Sequence, residues 1–170
     1  MIRAAISILI LLMALPARAE VTVRIFARTR PVTVVFTPRH GEYRLDRGEP
    51  DGLTIVPGET VAVTLNEEKV IFRTLSGISG VADTLRFTPL AADALFTMRA
   101  PARAEAVKTL NGSLMISSYP RSLLVLNVTE LEDYLPGVVR SEAGRAGPPE
   151  YYRAQAVVAR TYAYRTIDRH

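Results

Sequence analysis

Between Val21 and Arg99 apolar side chains recur at every second position, and a chain with that period is committed to strands whose two faces meet different surroundings. Val21, Val23, Ile25 and Ala27 share one parity, and Val32, Val34 and Phe36, then Val61, Val63 and Leu65, then Leu85 and Phe87 repeat the arrangement. His40-Gly41, Arg47-Gly48-Glu49-Pro50-Asp51-Gly52 and Pro57-Gly58-Glu59 separate these runs, with Gly and Pro supplying dihedrals that strands do not take. Residues 20–104 therefore read as a β-rich module. Its last part, from Leu90 through Ala104, loses the alternation and reads as a linker or short helical excursion, so an internal boundary is placed beside it.

Residues 105–170 read differently. Asn111-Gly112-Ser113 looks like a tight turn opening a β-hairpin, with Leu114 to Ser117 on one side and Arg121 to Val128 on the other. The second strand is apolar on both parities over Ser122 to Val128, which predicts burial on both faces. The period then becomes helical. Thr129-Glu130-Leu131-Glu132 has the spacing of a capping box, Leu131, Tyr134 and Leu135 form an apolar stripe, and Pro136-Gly137 is expected to end or kink the helix. A longer helix is predicted to open at Pro148-Pro149 and run from Glu150 towards Ile167. The fold class is thus α+β, mainly β: a β-rich N-terminal module, then a β-hairpin and two helices.

Met1-Ile2-Arg3, the apolar stretch from Ala4 to Leu15, and Pro16-Ala17-Arg18-Ala19 follow the three-part grammar of a secretory signal peptide over residues 1–19. The stretch is about a dozen residues, short of the ~20 a spanning helix needs, so no stable membrane span is expected after cleavage. Removal takes Arg3 and Arg18 and lowers the formal charge from +4 to +2. With no Lys/Arg-rich run or basic helix interleaved with aromatics, no nucleic-acid partner is implied. There is no cysteine, so stability must come from a hydrophobic core, and the two histidines, His40 and His170, read as solvated surface residues instead of metal ligands.

The predicted helix around Gln155 is apolar nearly all round, which implies packing inside the domain, with Gln155 and Arg160 as its polar interruptions. A buried guanidinium needs a carboxylate or several carbonyls; the pair either ties this helix to its neighbours or orients a reactive group. Tyr151, Tyr152, Tyr162 and Tyr164 read first as core aromatics and second as stacking platforms for sugars. Glu142 falls between the two helices, ahead of a Gly/Pro segment, and is expected on the rim of a concavity. Val138 and Val139 nearby would disfavour its charged form and suit it to proton donation. Asn111-Gly112-Ser113 and Asn127-Val128-Thr129 match the glycosylation acceptor pattern, a match of little weight in a bacterial chain.

The stretch Leu126-Asn127-Val128-Thr129-Glu130-Leu131-Glu132-Asp133-Tyr134-Leu135-Pro136-Gly137-Val138-Val139-Arg140-Ser141-Glu142, followed by Arg153-Ala154-Gln155-Ala156-Val157-Val158-Ala159-Arg160-Thr161-Tyr162-Ala163, resembles the core signature of the stage II sporulation protein D family over roughly residues 111–166. The resemblance implies a lytic transglycosylase or wall-remodelling factor of the periplasm or cell envelope, acting on peptidoglycan glycan strands without a cofactor. The family's catalytic glutamate falls on Glu142, and Ser141, Tyr134, Arg153, Gln155 and Arg160 are the candidates for binding substrate or supporting the site. One carboxyl group suffices for that chemistry, whereas an ordinary glycosidase needs two across the bond. Glu150 and Asp133 are the nearest candidates for a second, and Asp133 is more simply an early-helix acid.

Ala143-Gly144 stands where the family usually has Met-Pro, and Arg153 where it has lysine. The chain also stops at His170, directly after the second motif, where the family's domain continues, so an incomplete domain is expected. Three readings follow: an envelope enzyme of lytic transglycosylase type, a non-catalytic peptidoglycan-binding module or amidase-enhancing factor with a cell-wall amidase as partner, and a truncated domain with neither activity.

Overall fold

The computed structural model describes residues 19–102, 107–144 and 147–167. The proposed signal segment before Ala19, His170 and the Arg103-Ala104 end of the expected linker lie outside the described residues. The strands are β1 (Glu20–Ile25), β2 (Thr33–His40), β3 (Tyr43–Asp46), β4 (Leu53–Ile55), β5 (Val61–Asn66) and β6 (Lys69–Thr74). They continue with β7 (Ser79–Ala82), β8 (Thr84–Pro89), β9 (Leu95–Arg99), β10 (Lys108–Asn111), β11 (Ser113–Tyr119) and β12 (Ser122–Glu130). Helices α1 (Leu131–Ala143) and α2 (Pro149–Ile167) follow. The mainly-β α+β class read from the pattern is the one observed.

The strands form two antiparallel six-stranded sheets, ordered β1-β12-β11-β8-β3-β4 and β10-β9-β2-β5-β6-β7. They share one core. Phe36 of β2 stands 5.2 Å from Tyr43 and 4.3 Å from Phe87, both on the other sheet, and 5.1 Å from Phe96 on its own. Tyr43 is fully buried and its hydroxyl has no partner among the described residues, so burial pushes its ionisation far above the usual tyrosine range.

Most of the period-two runs become strands with the expected inward parity: Val34 and Phe36, Val61 and Val63, and Leu85 and Phe87 are all buried. The alternation of the first run stops at Phe26, whose φ of 58° ends the strand, and Ala27 is exposed in the turn that follows. The stretch after Leu90 is not a linker. It holds β9, which pairs with β2 and β10, and Ala94, Phe96, Met98 and Ala100 all face the core. The alternation is present there, with small alanines at two inward positions disguising it.

The boundary at 104/105 does not separate two packing units. β11 and β12 lie in one sheet with β1, β8, β3 and β4, while β10 joins β9 in the other. The β11–β12 hairpin exists as expected, but it turns at Pro120-Arg121, and Gly112 instead carries the chain from one sheet to the other. β12 buries Leu123, Val125, Asn127 and Thr129 on one parity and only half-buries Leu124, Leu126 and Val128 on the other.

Candidate functional site

β12 runs directly into α1, and the junction is held by side chains. Asn127 Nδ2 donates to the carbonyls of Asn111, at 2.8 Å, and Ser113, at 3.0 Å. Thr129 Oγ1 donates to Asn111 Oδ1 at 2.7 Å, and Asn111 Nδ2 donates to Asp133 Oδ2 at 2.7 Å. These contacts fasten the crossover between the sheets to the first turn of α1. Neither asparagine is free for modification.

The capping box is not formed. Glu130 occupies the N-cap with no side-chain cap, Thr129 is engaged by Asn111, and Glu132 turns away towards α2. The Leu131 amide is satisfied by the Ala19 carbonyl at 2.8 Å instead, because β1 pairs alongside β12 and delivers its start to the helix. Leu131 and Leu135 pack on Val21, with Tyr134, Ala159 and Ala163 beside them. This anchoring carries the helix through Pro136 to Ala143, so the proline does not end it. The Glu132 carbonyl that loses its intrahelical donor lies on an exposed turn, where water can serve it.

α2 begins at Pro149 as predicted, yet it is not an interior helix. Among the described residues only its face bearing Ala159 and Ala163 meets the α1 cluster, and one neighbour leaves the apolar residues on the other faces uncovered. Val157, Val158, Tyr162 and Tyr164 are 59%, 62%, 71% and 52% exposed. Tyr151 is exposed and Tyr152 half-buried, so the reading of these tyrosines as core is overturned.

The helices run antiparallel. Arg160 Nε donates to Glu132 Oε1 at 2.9 Å and its Nη2 to Glu132 Oε2 at 2.6 Å, a bidentate fork between late α2 and early α1. That contact holds Glu132 below the usual glutamate range and raises Arg160. At the other end, Tyr152 Oη donates to the Gly144 carbonyl at 3.3 Å and accepts from the Gly147 amide at 3.0 Å. The two ends are roughly 12 Å apart along α2, at ~1.5 Å per residue.

Glu142 lies in the last turn of α1, not in a loop between helices, and its side chain is exposed with no hydrogen bond to any described residue. An open cleft of about 410 Å³ lies beside that turn, lined by Pro136, Val139, Arg140, Gly144 and Tyr152. Val138 and Val139 are half-buried, so the apolar shelter expected around the carboxyl group does not enclose it. Ser141 and Arg153 are exposed, Gln155 is half-buried, and Tyr134 packs on the Val21 cluster. Arg160 is committed to Glu132 at the far end of the helix pair and does not orient Glu142. Among the described residues no three metal-ligating side chains gather, and no helix is long and apolar enough to cross a membrane.

Residues 119–170 match the family profile described as Stage II sporulation protein, SpoIID. The C-terminal part of this chain is a SpoIID-type segment. It contains all of α1 and α2, and with them Glu142, the Glu132–Arg160 fork and the cleft. An uncharacterized protein of Brachyspira hyodysenteriae is 46% identical over 52 residues, which is 31% of this chain and 14% of that protein. The matched stretch therefore spans about a seventh of that relative's length. No solved structure matches the chain. The SpoIID-type similarity relates the protein to sporulation and the cell wall.

Two features of the SpoIID-type segment escaped sequence reasoning. That Arg160 needs a carboxylate was legible, but its choice of Glu132 depends on the antiparallel pairing of the helices. The Asn111–Asn127–Thr129–Asp133 network joins positions up to 22 residues apart, and its signal was polar side chains on an otherwise apolar strand.

Proposed function

We propose that this protein is exported to the cell envelope and cleaves the glycan strands of peptidoglycan in the manner of a lytic transglycosylase, with Glu142 as acid and base. The reading is supported by one placement above all. The SpoIID-type segment puts Glu142 at the exposed end of α1, in the helical turn whose Val139 and Arg140 line the open cleft.

The chemistry needs one carboxyl group. Protonated Glu142 gives its proton to the glycosidic oxygen between N-acetylmuramic acid and N-acetylglucosamine as that bond breaks. The resulting carboxylate takes the proton of the muramyl C6 hydroxyl, whose oxygen attacks the anomeric carbon and closes a 1,6-anhydro ring. No water is consumed and Glu142 ends as it began. A glycan seated in the cleft would exclude water from the bond being broken. Arg140 on the cleft wall is placed to donate to sugar oxygens, while Arg160 and Tyr152 hold the helix pair at its two ends.

A second reading, a glycan-binding or amidase-enhancing module without catalysis, is favoured by the exposure of Glu142 and its lack of a partner among the described residues. Incubation of the full chain with purified glycan strands and mass spectrometry of the products separates the two. Anhydro-muramyl products from wild type and none from Glu142→Gln support the enzyme. Identical profiles with undiminished strand binding support the module.

A further inference from the structure

The sandwich brings two hairpin loops together at the end remote from the helices. Glu67-Glu68 joins β5 to β6 on one sheet, and Pro120-Arg121 joins β11 to β12 on the other. A cavity of about 490 Å³ lies between them, lined by Glu67, Glu68, Ser118, Tyr119, Pro120 and Arg121. Both loops hold a charged residue in the left-handed region, Glu67 at φ 56° and Arg121 at φ 61°, where glycine or asparagine would sit with less strain. None of Glu67, Glu68 and Arg121 is paired with another described side chain, although all three border one cavity. Tyr119 is held by the Arg24 guanidinium, 4.6 Å from its ring centroid, and stays 39% exposed.

We propose that this cleft is a second carbohydrate site, taking an uncharged N-acetylated amino sugar of the glycan strand. The part of the Tyr119 ring left exposed by Arg24 offers an apolar surface to the C–H face of a pyranose. The carboxylates of Glu67 and Glu68 accept from sugar hydroxyls, and Arg121 donates to the acetamido carbonyl. With Arg24 held on the Tyr119 ring, two carboxylates meet two guanidinium groups, and this balance suits an uncharged ring. The site rests on the glycan reading of the helix cleft, but it is physically separate. The nine residues of β12 alone put roughly 30 Å between it and α1, at ~3.3 Å per residue. A short oligosaccharide occupies one site, while a long strand engages both and gains avidity.

Calorimetric titration of the full chain with chitotetraose, the β-1,4 tetramer of N-acetylglucosamine, tests the proposal. Arg121→Gly relieves a left-handed residue, so this variant is expected to melt at the wild-type temperature or above while binding at least tenfold more weakly. Tyr119→Ala is expected to lose binding similarly. Undiminished binding in Arg121→Gly and Tyr119→Ala, or no binding to wild type, overturns the site. So does loss in Glu142→Gln alone, which places the sugar in the helix cleft. Because the catalytic reading is judged by anhydro products and this one by affinity, either can fail while the other stands.

Discussion

Arg160 grips both carboxylate oxygens of Glu132, and this fork is the ion pair joining the two helices of the SpoIID-type segment among the described residues. The contact depresses the ionisation of Glu132 below its ordinary value of 4.5. A group with a lowered folded pKa stabilises the fold above its unfolded pKa and loses that contribution as pH falls through the folded value. Wild type should therefore melt higher than Glu132→Gln at neutral pH, and the gap should close below the ordinary carboxylate range. Both partners are substantially exposed, so the gap should be small and should shrink with added salt. Thermal melts of both proteins from pH 7 to pH 3 check it; a gap independent of pH would disprove the linkage.

Glu142→Gln should abolish anhydro-sugar formation without moving the melting temperature. The side chain is exposed and contributes no hydrogen bond to a described residue, so its replacement by a near-isostere costs the fold little. A general acid contributes about 100-fold to 10,000-fold in rate, and the turnover of strands should fall by at least the lower figure. Circular dichroism melts and product quantification on the same preparations separate lost chemistry from lost structure.

What was legible beforehand followed from local period. The alternation of Val34 with Phe36, or of Val61 with Val63, is a property of neighbouring residues and survives into the sheets unchanged. β9 was missed because Ala94 and Ala100 occupy inward positions with side chains too small to register as apolar peaks. The position of Glu142 between two helical patterns is readable, but its exposure is not, since Pro136-Gly137 is expected to end or kink the helix and α1 is carried past it by Leu131 and Leu135 packing on Val21. The burial of α2 was misjudged for a related reason. Its apolar composition records what could be covered, while exposure depends on which neighbours surround it.

Gly112→Ala should destabilise the protein by about 3 kcal/mol, at the severe end for a single added methyl group. Gly112 has a φ of 78°, and a Cβ there would overlap the Val128 carbonyl oxygen and press on Thr129. Neither neighbour can give way freely, because Val128 is held in the central ladder between β1 and β11. Chemical denaturation should show a lower midpoint with an unchanged slope. Wild-type stability in the alanine variant would mean the crossover between the sheets is more pliable than its geometry implies.

Asn127→Leu tests whether the signature residues before α1 serve the fold or the site. Asn127 is only 3% exposed, and its amide satisfies two backbone carbonyls at the crossover, those of Asn111 and Ser113. Leucine has similar volume and no donor, so both carbonyls lose a partner in a part-buried place, at a cost of about 2–3 kcal/mol. The damage should then travel one step further. Asn111 is the hub that also receives Thr129 and donates to Asp133, so a displaced Asn111 loosens the first turn of α1. Amide hydrogen exchange in Asn127→Leu should accelerate at residues 129–135 more than in the core strand β2. If protection falls evenly across the protein instead, Asn127 contributes only to global stability, and the network does not set the position of the helix that carries Glu142.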